Sequence, residues 1–264
     1  MKTLQVLVAT MGQDPLELCQ KMNIGSDAII INQCDKFSYS KLSYNNSLIE
    51  YYCFKDRGLS KSRNNALMRA TADIICIADD DMVYTDTYKK DVVEEFEKHP
   101  EADVLIFNVS SFGGERESVN IKKYEKLKRF EYKEFGSVHI AMRREKLLYS
   151  NTWFNVMFGS GSLINSGEDT IFLNDLLKKG FRIYKSPLKI AEVDMSNSSW
   201  FRGYNEKYFK NKGALVAAIY PKMWLPGIVL LSLKNSKSKL GSYTRFFELF
   251  KWYYSGVSEF KKLQ

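Results

Sequence analysis

The stretch Asp73-Ile74-Ile75-Cys76-Ile77-Ala78-Asp79-Asp80-Asp81 runs a continuous β-rich apolar segment straight into three carboxylates. Apolar residues without alternation mark a strand covered on both faces, as in a parallel sheet between helices. Adjacent aspartates repel one another and suit neither strand nor helix interior, so they belong to a turn with a positive charge nearby. In an open α/β sheet, ligands gather outside the carboxyl ends of the strands, where this cluster falls. Extended geometry points Asp79 and Asp81 to one side and Asp80 to the other, giving two convergent oxygen ligands for a hard divalent ion. With no His or Cys nearby, Mg²⁺ or Mn²⁺ fits that pair better than Zn²⁺. The plainer alternative is an acidic turn that caps the next helix.

Upstream, Leu4 to Thr10 and Ala28 to Asn32 read as strands, separated by a helical pattern at Leu16, Leu18, Cys19 and Met22. A third strand is expected at Ile49 to Phe54, followed by a helix through Ala66, Leu67 and Ala70 that Ser60 can cap. That helix start places Lys61 and Arg63 beside free amides, a combination that can hold phosphate. Downstream, a helix is expected from Thr87 to Lys98 and a strand from Val104 to Val109. Residues 110–135 are polar without a clear period and read as a loop or a helix over the sheet. Further strands are expected at Ser137 to Met142, Phe181 to Lys185 and Lys189 to Val193, with a helix from Asp169 to Lys179. This alternation predicts an α/β fold, a mostly parallel Rossmann-like sheet flanked by helices.

A second acidic pair, Glu168-Asp169, opens that late helix behind the Gly/Ser-rich loop Phe158 to Ser166. An N-cap role explains one acid but not two, and a glycine-rich loop suits a substrate-facing edge.

Composition narrows the classes. The 264 residues are 45% hydrophobic and 27% charged, which supports a sizeable core and excludes disorder as the main state. The longest apolar stretch, Met223 to Leu233, contains Pro226 and Gly227 and is too short to span a bilayer. The start lacks a signal-peptide pattern, so a cytoplasmic location is expected, and the four cysteines read as buried, reduced thiols. The net charge of +8 lies in the tail: residues 201–264 hold 12 Lys/Arg against 3 Asp/Glu, leaving 27 against 28 in residues 1–200. A near-neutral body with a basic, aromatic tail fits a catalytic domain held at an anionic surface better than a nucleic-acid binder.

The ordered set Leu4 to Met11, Gly58-Leu59-Ser60-x-x-Arg63-Asn64, Ile77-Ala78-Asp79-Asp80-Asp81 and Gly167-Glu168-Asp169 resembles the inverting GT-A glycosyltransferases of family 2. The similarity is greatest to bacterial enzymes of capsular polysaccharide and lipopolysaccharide synthesis. It implies a catalytic domain over residues 1–195, with a nucleotide-sugar half (1–109) and an acceptor half (110–195), followed by a helical extension (196–264). It also implies single-sugar transfer with inversion from a nucleotide-sugar to a hydroxyl of a glycan or lipid-linked acceptor. In this resemblance Asp79 holds the ribose or donor sugar and Asp81 the cation, with Asp79 its second ligand and Asp80 beside the donor. Arg63 contacts the nucleotide, Thr10 and Met11 line the base pocket, Asp169 is the general base and Glu168 orients the acceptor. Asn32-Gln33 stand where many members carry an acidic pair, so the nucleobase is open, with UDP the default. The Q-x-x-R-W motif of processive members is absent, which favours one transfer per encounter. Rival readings are a haloacid-dehalogenase-like phosphohydrolase, for which Asp79-Asp80-Asp81 comes too late in the sheet, and a non-catalytic partner in polysaccharide assembly.

In the tail, Phe246, Phe250, Tyr253, Val257 and Phe260 recur at helical spacing. This stripe either inserts shallowly at an anionic cytoplasmic leaflet or packs on the catalytic domain or a second subunit. Trp200 to Tyr204 read either as a cover for the acceptor cleft or as core.

Overall fold

The computed structural model describes residues 2–113, 119–196 and 203–264. In the first half, β1 (Leu4–Met11), α1 (Pro15–Lys21), β2 (Asp27–Gln33), β3 (Ser38–Tyr44), β4 (Ser47–Phe54), α2 (Leu59–Arg69) and β5 (Ile74–Asp79) follow one another. Then come β6 (Met82–Tyr84), α3 (Tyr88–Lys98), β7 (Val104–Phe112), β8 (Glu125–Lys126), β9 (Ile140–Arg143), α4 (Arg144–Ser150), α5 (Glu168–Lys178) and β10 (Ile183–Asp194). Three helices close the chain: α6 (Glu206–Ile219), α7 (Trp224–Leu240) and α8 (Phe246–Lys262).

One sheet runs in the order β3-β4-β2-β1-β5-β9-β7-β10-β6, with β8 paired to β10. The segment β4-β2-β1-β5 is parallel, as the unbroken apolar runs require. Successive residues alternate between two cores: Val6 and Val8 meet α1 and α3 on one face, while Leu7 meets α2 and α5 on the other. The remaining half is mixed, because β9 lies antiparallel between β5 and β7 and β6 runs antiparallel to β10. The expectation of a mostly parallel sheet thus holds for β4-β2-β1-β5, and the GT-A type architecture stands with a mixed second half in which β7 and β10 are parallel.

Local chemistry accounts for several boundaries. Asp14 caps α1, its carboxylate accepting from the amides of Leu16 and Glu17, and Pro15 occupies the first turn where no N–H is needed. Asn45 and Asn46, at φ 48° and 61°, turn β3 into β4 as a tight hairpin, an edge strand that the hydrophobic pattern alone did not reveal. The two strands expected at Phe181 to Lys185 and Lys189 to Val193 are one, β10, with register shifts around Pro187. Ser137 to His139 form a 3₁₀ turn, so that strand starts only at Ile140. In 110–135 the described residues carry the end of β7, the short β8 and a 3₁₀ turn at Glu131–Glu134, with no α-helix.

The C-terminal helices build a third core with the loop before α5. Phe158, Ile164 and Ile171 pack against Phe209 and Leu215 of α6 and against Leu249, Tyr253, Val257 and Phe260 of α8. The α6–α8 crossing is close: a Cβ on Gly213 would fall on the Tyr253 carbonyl, and one on Gly256 on the Lys210 carbonyl. The stripe of α8 is therefore inward-facing at Tyr253, Val257 and Phe260, which decides for packing on the domain at those positions. Of the expected cleft cover, Trp200, Phe201 and Arg202 lie outside the described residues. No helix among those described is long and apolar enough to cross a membrane.

Candidate active site

Parallel register brings the expected donor-side residues to one edge. Ala9 pairs with Asp79, Thr10 with Asn32 and Met11 with Gln33, so all of them lie at the carboxyl ends of adjoining strands β2, β1 and β5. The buried Thr10 hydroxyl donates to the Asp80 carboxylate at 2.5 Å, and Lys21 Nζ donates to the Asp80 carbonyl at 3.0 Å. Met11 is exposed at the sheet edge. Asn32 is buried with both amide atoms engaged: its oxygen accepts from the Gln13 N–H and its nitrogen donates to the Tyr51 hydroxyl at 2.6 Å. Tyr51 in turn donates to the Gln13 carbonyl. Gln33 accepts from the Gly58 N–H at 2.8 Å and so fixes the start of α2.

Gly58 sits at φ 124°, a backbone state that side chains disfavour, and it leads α2 past the loop before α5. Ser60 does not cap this helix; its hydroxyl donates to the Phe158 carbonyl at 2.6 Å. Gly159, expected at a substrate-facing edge, instead leaves room between Ser60 and Glu168, where a Cβ would come within 3.1 Å of the Ser60 hydroxyl. One turn on, Asn64 holds the backbone of Phe154 from both sides, donating to its carbonyl and accepting from its N–H. Phe154 stacks on Phe172 and lies under the Arg63 guanidinium.

Arg63 is the centre of the site. It is 3% exposed. Its Nη1 donates to Asp169 Oδ1 at 2.8 Å and lies 3.6 Å from Glu168, while Nη2 donates to both oxygens of Asp79 at 2.8 and 3.0 Å. The two acidic segments, far apart in sequence, thus share one buried cation. Arg63, expected to contact the nucleotide, has both its Nη atoms on carboxylates. Burial alone would lower its pKa, but Asp79, Asp169 and Glu168 outweigh that and raise it. Lys61 stands apart, half-exposed and 3.8 Å from Asp56.

Neither acid of α5 caps the helix. Gly167 is the N-cap at φ 113°, and Glu168 and Asp169 occupy the first turn, facing Arg63. Burial, with the Asp169 charge second, pushes Glu168 up to about 7 against the pull of Arg63. Asp169 Oδ2 looks toward Gly136, where a Cβ would come within 3.4 Å. Sequence reasoning did not single out Gly136, Tyr51, Phe154 or the role of Asn64; only Asn64 stood inside a recognised pattern.

Asp81 is the odd member. Burial first, then Asp79 and Asp80, push its carboxyl up to about 6. Its Oδ1 is buried without a hydrogen-bond partner, while its backbone carbonyl accepts from Asp194. A buried carboxylate oxygen without a partner, among like charges, suits a cation ligand. Asp79, with both oxygens on Arg63, is less free to serve as the second ligand that its spacing suggested. Among the described residues no group of three His, Cys, Asp or Glu surrounds a metal position. A Mg²⁺-type ion needs no such cage when one or two carboxylates and substrate phosphates complete its shell.

The sequence model of glycosyl transferase family 2 matches residues 33–163. Among solved structures, S. aureus TarS aligns with TM-score 0.58 and 16% identity over 81% of this chain, which spans 39% of that protein. TarS 1-349 in complex with UDP-GlcNAc aligns with TM-score 0.61 and 12% identity over 99% of this chain and 92% of that one. The same fragment in complex with UDP gives the same values. At these identities the likeness is one of fold. No curated protein sequence matches this chain.

Proposed function

We propose that this chain, whose residues 33–163 match the glycosyl transferase family 2 model, moves one sugar, with inversion, from a UDP-sugar to a hydroxyl of a glycan or lipid-linked acceptor in bacterial surface polysaccharide synthesis. The nucleotide-sugar donor is supported by structural neighbours solved with UDP-GlcNAc and with UDP. In this reading residues 1–109 form the donor half and 110–195 the acceptor half, with 196–264 a helical extension, and the enzyme works at the cytoplasmic side of the membrane.

The observation that carries the reading is the Arg63 bridge, which holds a donor-side carboxylate, Asp79, and an acceptor-side carboxylate, Asp169, on one guanidinium. Thr10, Met11, Asn32 and Gln33 border the nucleobase end, and Asp80 is fixed by Thr10 beside it. Asp81 would hold a divalent cation, Mn²⁺ or Mg²⁺, which supplies positive charge against the leaving diphosphate. Asp169 accepts the acceptor hydroxyl's proton on Oδ2, because Oδ1 is committed to Arg63. Arg63 aims Asp169, and Glu168, whose carboxyl burial pushes up, orients the hydroxyl.

The test is donor hydrolysis with a panel of nucleotide-sugars, with and without Mn²⁺. Release of UDP that the ion stimulates is expected, and Asp81→Asn should lose the stimulation while staying folded. Phosphate release from phosphomonoesters, or no turnover of any donor, would overturn the reading.

A further inference from the structure

We propose that the outer face of α7 docks on an anionic lipid bilayer. The inward face of this helix joins Ile228 to two serines, while several of its aliphatic side chains stay outside. Ser232 and Ser236 are fully buried, each returning its hydroxyl to a carbonyl of its own helix, at Ile228 and Leu233. Met223, Leu230 and Leu233 are 61%, 66% and 47% exposed. Met223, Pro226, Leu230, Leu233 and Lys237 succeed one another at alternating spacings of three and four, so they form one stripe along the helix. A contiguous aliphatic stripe left on the outside marks a face that meets an apolar phase.

Charge selects the phase. Between Glu206 and Glu248 the chain carries eight Lys/Arg and no acidic residue. Lys222, Lys234 and Lys237 flank the stripe as exposed side chains, and no carboxylate of the described residues pairs with them. Leucines bordered by unbalanced lysines match the interface of a leaflet rich in anionic headgroups, where each basic residue adds attraction. A second copy of this chain is the poorer occupant. A two-fold pairing across α7 would bring the same lysines together with no acid to offset them. The amphipathic stripe of α8 is already spent on α6, so the lipid-facing element is α7 and not the helix that the sequence pattern favoured.

Flotation of the full chain with phosphatidylglycerol/phosphatidylcholine vesicles, and with pure phosphatidylcholine, tests this. Binding to the anionic vesicles is expected, weaker by about tenfold or more on pure phosphatidylcholine and released as salt shortens the screening length. Leu230→Ser with Leu233→Ser should lower partitioning by about tenfold or more, with an unchanged circular dichroism spectrum and unchanged donor hydrolysis without vesicles. Lys234→Gln with Lys237→Gln should remove the preference for anionic lipid. Phe247, 79% exposed on α8 in a groove with Glu206, Lys210 and Glu248, is the control, and Phe247→Ser should bind as the wild type. Undiminished binding by the double leucine variant, or equal loss with Phe247→Ser, overturns the assignment. So does a dimer in solution that the leucine variant converts to monomer. Because hydrolysis is read without vesicles, failure of docking and failure of the enzymatic reading separate.

Discussion

The aspartates that end β5 and the acids that open α5 are both partly buried clusters of like charge, yet they are neutralised differently. At α5, Asp169 is matched by Arg63 at 2.8 Å, and burial beside Asp169 pushes the Glu168 carboxyl up to about 7, which relieves the excess negative charge. At β5, Asp79 takes the other side of the same guanidinium and Asp80 takes the Thr10 hydroxyl, but Asp81 keeps a buried oxygen without a partner. One segment is complete within the chain. The other leaves one buried carboxylate oxygen unmatched, and in the proposed function that is the difference between a donor side that binds diphosphate and an acceptor side that removes a proton.

Removing the shared cation should break the comparison most severely. Arg63→Gln leaves Asp79 and Asp169 without their counter-charge in a site with little solvent, a loss of about 3–5 kcal/mol in stability. Turnover should fall at least about 10³-fold, as both carboxylates lose orientation. Denaturant unfolding and donor hydrolysis check the two effects, and a stable variant with near-normal turnover would detach Arg63 from the site.

Asp169→Asn touches one side only. The amide still accepts from Arg63 but cannot take a proton, so kcat should drop by about 10²- to 10⁴-fold while donor binding stays nearly intact. Isothermal titration with UDP separates the two quantities. A parallel loss of donor affinity would erase the division of labour between the segments.

How far the chain announces this arrangement differs by residue. Both acidic segments stood out because three consecutive aspartates, and two acids where one cap suffices, have no comfortable place in a plain fold. Arg63 stood out as a phosphate or nucleotide contact and not as the cation that joins them, since the Arg63–Asp169 pair spans 106 residues and only tertiary packing decides which cation meets which anion. Ser60 looked like a cap by type and position, yet Gly58 took that place and freed its hydroxyl for Phe158. The β3 edge was hidden because Ser38–Tyr44 is mostly solvent-exposed, although Asn45-Asn46 carried the hairpin's turn chemistry. In the tail the stripe of α8 was legible, but a stripe does not name its partner, and Gly213 and Gly256 are what admit α6. The exposed aliphatic stripe of α7 escaped notice because apolar density alone does not say which side is wet.

A pH series sharpens the contrast at α5. In the folded chain Glu168 keeps its proton up to about 7, whereas an unfolded glutamate loses it near 4.5. Between those values the folded state binds more protons than the unfolded one, so the contribution of this group to stability falls as pH rises from about 4.5 to about 7. Glu168→Gln has no proton to lose, and its melting temperature should decline less across that window, by a few degrees relative to wild type. Parallel melting curves for the two proteins would mean that Glu168 is ionised throughout.

The smallest effect tests where the acceptor stands. Gly136 has φ −85°, which any residue adopts, so its lack of a side chain is not a matter of backbone freedom. What it provides is space, because a Cβ there would meet Asp169 Oδ2 at 3.4 Å, ordinary van der Waals contact that fills the approach without displacing the carboxylate. Gly136→Ala should therefore raise the acceptor KM by about threefold to tenfold, the scale of one methyl group in a pocket. Donor hydrolysis by water, a far smaller nucleophile, should be nearly unchanged. A fall in hydrolysis equal to the fall in transfer would mean that the methyl disturbs Asp169 itself, and the acceptor would then have to approach from another side of the carboxylate.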